Sequence, residues 1–123
     1  MTGIIYHMLP AARWAAQPQG RPYVGDSLAG EGFIHCTAEP ERLVAVANAF
    51  YRAVPGPHVI LCIRAQAVTA EVRWEPADGH RFPHIYGPLN LDAVVGVLEF
   101  PRADDGTFLP PPAFQAAAAG SER

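Results

Sequence analysis

Three of the five histidines sit beside bulky apolar and aromatic residues: Ile5-Tyr6-His7, Gly32-Phe33-Ile34-His35-Cys36 and Phe82-Pro83-His84-Ile85-Tyr86-Gly87-Pro88. Imidazole changes charge and hydrogen-bond role near neutral pH, so such a set suits ligand contacts or proton transfer. His7 and His35 share a setting: an aromatic residue within two positions before, and the end of a short apolar run. For each histidine alone the competing reading is a structural side chain satisfied in the core. Strand alternation puts Tyr6 and His7 on opposite faces, so a regular strand turns one of them, not both, toward a cleft. The prolines and glycine of Phe82-Pro83-His84-Ile85-Tyr86-Gly87-Pro88 predict an irregular segment, either a rigid binding loop or a packed turn.

Glu75 follows Val72-Arg73-Trp74. A carboxylate buried beside Trp would have a raised pKa, because desolvation disfavours its charge; the alternative is a solvated strand end. Arg13, Arg21, Arg73 and Arg81 are candidate anion clamps. His7, His35, His84 and Glu75 would make a ligand set for zinc or iron, but none stands at short ligand spacing, and no metal is assigned. Cys36 as a nucleophile with His7 or His84 as its base is a further arrangement, although Phe33-Ile34 beside it looks core-like. All nine basic residues are Arg, which excludes a Schiff-base or P-loop lysine.

These residues need a scaffold. The pattern predicts strands over 2–9 and 32–36, and a buried strand from His58 to Arg64. It predicts two more over 71–75 and 94–100, with Gly96 marking a bulge or close approach in the last. A short helix follows Pro10, and a second, capped by Thr37, carries Leu43, Val46, Ala47, Phe50 and Val54 at helical spacing. Residues 18–32, rich in Gly and Pro, predict a loop long enough to be functional. Strands without regular alternation with long helices give an α+β class. Residues 1–100 form the single domain, and 101–123 a Pro- and Ala-rich tail that drapes or frays.

The 123-residue length fits one domain. Half the residues are apolar and the net charge is −3, so the composition is globular and carries no basic footprint for nucleic acid. No signal-peptide pattern opens the chain and no apolar run reaches membrane-span length, so a cytoplasmic protein with free thiols and no membrane partner is expected. Oligomeric state is left open.

With Ile5-Tyr6-His7, Ser27-Leu28-Ala29, Glu31 to Thr37, Arg73-Trp74-Glu75 and Phe82 to Leu89 in place, residues 4–100 resemble the bacterial family called domain of unknown function 952. That family is distantly similar to ADP-ribosyltransferases and RNA 2′-phosphotransferases. The resemblance implies a bent, split, mostly antiparallel sheet with two helices and NAD, as substrate rather than tightly bound cofactor, in the cleft. It implies that His7 contacts a ribose and that Gly32, Phe33, Ile34 and His35 wall the nicotinamide pocket. Glu75 is the candidate late glutamate. Many transferases place Gly after the first His, where this chain has Met8, and the late Glu motif and phosphotransferase arginines do not map.

The leading expectation is an enzyme acting on NAD or another nucleotide-like ligand. In it His7, Glu75 and His35 are catalytic, and Tyr6, Gly32, Phe33, His84, Tyr86 and Arg73 bind ligand. The alternatives are a non-catalytic binding module with the same cleft and a metal-dependent hydrolase.

Overall fold

The computed structural model describes residues 3–114, apart from the side chains of residues 26, 27 and 29. The chain runs β1 (Ile4–Pro10), α1 (Ala11–Ala15), α2 (Asp26–Glu31), β2 (Ile34–His35), α3 (Pro40–Phe50), β3 (His58–Arg64), β4 (Glu71–Ala77), β5 (His80–Tyr86) and β6 (Val94–Phe100). The strands form two separate three-stranded antiparallel sheets, β1-β3-β6 and β2-β5-β4. The expected split is therefore present. No helix among the described residues is long and apolar enough to cross a membrane.

Alternation along β1 explains the layering. Ile5, His7 and Leu9 are buried on one face. With Leu61 and Ile63 of β3 they meet Ile34 and Ile85 of the other sheet, forming the core between the sheets. The opposite face of β1-β3-β6 is covered by α3, where Leu43 and Ala47 pack on Ile60, Phe100 and Phe108. Leu43 and Ala47 are four apart, the spacing that puts side chains on one helical face.

Four details differ from the sequence expectation. Among the described residues there are three α-helices, not two, because α2 lies in the stretch expected to be a loop. Its ends are set by Gly25 as N-cap and Gly32 with φ +88 as C-cap, and Gly30 lies inside it. Residues 82–86 are regular strand, not an irregular loop. Pro83 is tolerated because its carbonyl accepts from the Cys36 amide on the β2 side. A strand residue's N–H and C=O point the same way, so its missing donor costs no bond to β4. The turn between β4 and β5 is Asp78-Gly79, with φ +51 and +79, as a two-residue hairpin requires. Finally, α3 stops at Phe50 rather than reaching Val54, and its N-cap is Glu39 without a side-chain cap bond. The Arg102 guanidinium donates to the carbonyls of Arg52, Val54 and Gly56, holding that segment in a turn.

In β6 the register shifts between Cys62 and Ile63, opposite the segment that holds Gly96. The chain beyond β6 drapes back over α3. Arg102 bridges Phe108, and the Asn48 side chain bonds both the N–H and the C=O of Phe108. Phe108 is buried against Phe100, with ring centroids 4.7 Å apart. Residues 115–123 of the expected tail lie outside the described residues.

Candidate functional site

β1 is an edge strand, and one backbone bridge closes part of its free side. Tyr6 and Thr37 exchange both backbone hydrogen bonds, at 2.7 and 2.8 Å. Tyr6 therefore points its N–H and C=O away from β3. By the two-residue period, Met8 does the same. Among the described residues no second bridge covers Met8. Its side chain packs on the α3 side, and its unbridged backbone edge lies on the open side of β1.

That space is a cavity of about 440 Å³, within the range of small-molecule sites. It is lined by His7, Met8, Arg13, Tyr23, Glu31 and His35, with Leu43 and Val46 of α3 and Tyr51 just after it forming another wall. Tyr6 and Gly30 also line it.

His7 is the best-defined group there. Its Nδ1 lies 2.6 Å from the His35 carbonyl oxygen, and its Nε2 2.9 Å from the Tyr23 hydroxyl. A carbonyl can only accept, so Nδ1 carries the hydrogen. Burial lowers the His7 pKa to about 4, so the ring is neutral near pH 7. Nε2 then holds a lone pair and accepts from the Tyr23 O–H. Tyr23 is itself fixed by two backbone bonds to Leu89. Gly25 leaves room for it, since a Cβ there would stand 3.0 Å from the Tyr23 hydroxyl oxygen.

A second group gathers on the outward face of β2-β5-β4. Phe82, His84 and Tyr86 alternate with buried Pro83 and Ile85. Register places Glu71 opposite Tyr86, Arg73 opposite His84, Glu75 opposite Phe82 and His35 opposite His84. Paired residues share a face. Glu75 Oε1 accepts from His84 Nδ1 at 2.8 Å and from the Tyr86 hydroxyl at 2.6 Å. Phe33 stacks on His84, with centroids 4.3 Å apart, and the Arg73 guanidinium lies 4.3 Å from the Tyr86 ring centre. His35 joins the two groups. It lines the cavity, pairs through Nε2 with Glu31 at 3.1 Å, and its ring centre is 5.2 Å from that of His84.

The expected site residues thus fall into two adjoining sets. His7, Tyr6 and His35 line the cavity; Glu75, His84, Tyr86, Phe33 and Arg73 occupy the outward face with His35. The Tyr6 ring packs edge-on against Phe114. Gly32 ends α2. Glu75 is not buried beside Trp74 and does not carry the raised pKa that such burial would give. Hydrogen bonds from Tyr86 and then His84 hold its carboxyl below the usual range, and half-exposed Trp74 lies on the other side of the strand. Cys36 is buried in the core, which pushes its thiol up and leaves it a poor nucleophile. Both cysteines are free. Among the described residues no group of three or more His, Cys, Asp or Glu is placed to hold a metal ion.

Two cavity residues, Tyr23 and Glu31, were not singled out from sequence as site residues. Their signal was weak: they sit in or beside the long punctuated segment that was expected to be functional.

Residues 8–97 match the family described as "Protein of unknown function (DUF952)". No curated protein matches the chain. The chain is similar to the crystal structure of protein CC0527 from Caulobacter crescentus, at 33% identity over 86% of this chain and 93% of that one, with a TM-score of 0.71. The solution NMR structure of CC0527 gives 31% identity over 97% and 99% of the two chains, again with a TM-score of 0.71.

Proposed function

From a chain that belongs to the DUF952 family, we propose a protein that binds an NAD-class nucleotide in the cavity beside β1 and acts on it as an ADP-ribosyltransferase-like enzyme. One observation carries this reading: the unbridged backbone edge of Met8 lies beside a neutral, tautomer-fixed His7 in one cavity. A carboxamide offers an N–H donor and a C=O acceptor side by side. An edge-strand residue offers the complementary pair, as it would to another strand. The pair is the same for Met as for Gly, and the Met8 side chain is turned toward α3. The His7–Tyr23 pair supplies polar atoms for a ribose, and Arg13 supplies positive charge for a pyrophosphate.

Glu31 lines the cavity, and Glu75 is held on the outward face by His84 and Tyr86. Electrostatic support of a developing oxocarbenium ion therefore falls to Glu31 in this account. The placement of Glu75 also favours a second reading, a binding module that uses the same cavity without turnover.

Equilibrium dialysis with NAD and with its nicotinic-acid analogue tests the carboxamide contact. The analogue replaces the amide donor with a carboxylate that would face the Met8 carbonyl. NAD should bind at least about 10-fold more tightly, as expected when a buried polar group loses its partner. Equal affinities would reject the backbone contact.

A further inference from the structure

The outward-face cluster contains an oriented base that the cavity account leaves unused. Glu75 is ionised and can only accept, so its 2.8 Å bond to His84 requires the hydrogen on His84 Nδ1. In the neutral ring Nε2 then holds the lone pair, and it has no hydrogen-bond partner among the described residues. Tyr86 donates to the same carboxylate oxygen and Phe33 stacks on the ring, which together fix its orientation. The His84 side chain retains 12% exposure. A carboxylate that holds one imidazole nitrogen while the other faces a substrate is a general-base arrangement. The groups facing it are Arg73 and Glu71 on β4, Tyr86 on β5 and His35 with its partner Glu31.

We infer that His84 is the general base of an acceptor site on this face, serving a hydroxyl-bearing acceptor that reaches the nucleotide past His35. This rests on the NAD reading of the cavity. In the step, the acceptor O–H gives its proton to His84 Nε2, and its oxygen bonds to the ribose carbon that carries nicotinamide. The carbon–nitrogen bond breaks, its electron pair returns to the pyridinium ring, and neutral nicotinamide leaves. Glu75 is a positioning residue that stabilises the imidazolium until the proton passes to solvent.

Two measurements test this. The first is ¹⁵N NMR of the neutral His84 ring, which should show hydrogen on Nδ1 in the wild type and a tautomer mixture in Glu75→Gln. Hydrogen on Nε2 in the wild type would overturn the proposal. The second uses NAD with glycerol as the acceptor probe. The wild type should release nicotinamide and form the glyceryl adduct. His84→Gln should bind NAD with unchanged affinity, which also shows that it folds, and lose adduct formation by about 100-fold or more. Undiminished adduct in His84→Gln overturns the acceptor site alone. Absence of NAD binding by the wild type removes the cavity reading and this proposal together.

Discussion

The Tyr23 hydroxyl donates to His7 Nε2 at 2.9 Å while His7 Nδ1–H donates to the His35 carbonyl at 2.6 Å, so one neutral ring ties β1 to β2 and to the segment before α2. Both nitrogens are occupied, and the ring is buried. His7 is therefore placed to position groups around it rather than to carry a proton.

Tyr23→Phe leaves His7 Nε2 as a buried acceptor without a donor. Stability should fall by about 1 to 3 kcal/mol. Urea denaturation of the two proteins measures this. A loss well under that range would mean that water replaces the hydroxyl.

The pKa of His7 sets a pH dependence. Its folded value of about 4 lies below the ordinary 6.5, so between these values the unfolded chain binds more protons. Stability is then full above the ordinary value and declines as pH falls toward the folded one. The loss should be about 2 kcal/mol between about pH 7 and about pH 5. His7→Gln should flatten that part of the urea-midpoint profile. An unchanged slope in the variant would assign the proton uptake elsewhere.

Glu75 works in the same sense over a more acidic range. Its folded pKa is depressed, first by the Tyr86 hydroxyl and then by His84. Any stability from it is present above the ordinary carboxylate range and is lost as pH falls through the folded value. Tyr86→Phe should raise the carboxyl pKa, as read by ¹³C NMR titration. No upward movement would place the main stabilising bond with His84.

Phe108 makes the segment after β6 part of the second core. Phe108→Ala should cost about 3 kcal/mol or more, in the range for a buried Phe. Thermal and urea denaturation both report it. A loss below about 1 kcal/mol would show that the segment is only laid on the surface.

Much of this architecture is legible in the residues. The run His58–Arg64 is β3 as expected, and it is apolar on both faces between its ends because one face meets the other sheet and the opposite one lies under α3. The Asp78-Gly79 turn is legible in sequence as an Asp-Gly pair, but the strand that follows it is not. Pro83 hid β5 because a missing donor looks fatal to a strand until the direction of each residue's hydrogen bonds is known. α2 has only six residues, too few for helical periodicity to outweigh its glycines. The candidate residues were expected in one cleft, and they fall in two adjoining sets. One-dimensional spacing does not say which face of β2-β5-β4 looks toward β1, and that choice separates Glu75 and His84 from His7. Tyr23 pairs with a residue 16 positions away, and no local pattern marks such a partner.

Nucleotide binding beside β1 is tested by isothermal titration of NAD into the protein, with chromatography for released nicotinamide. The expected result is saturable heat and nicotinamide release, with both lost in a folded His7→Ala variant. No heat from the wild type, or binding undiminished in His7→Ala, would contradict it.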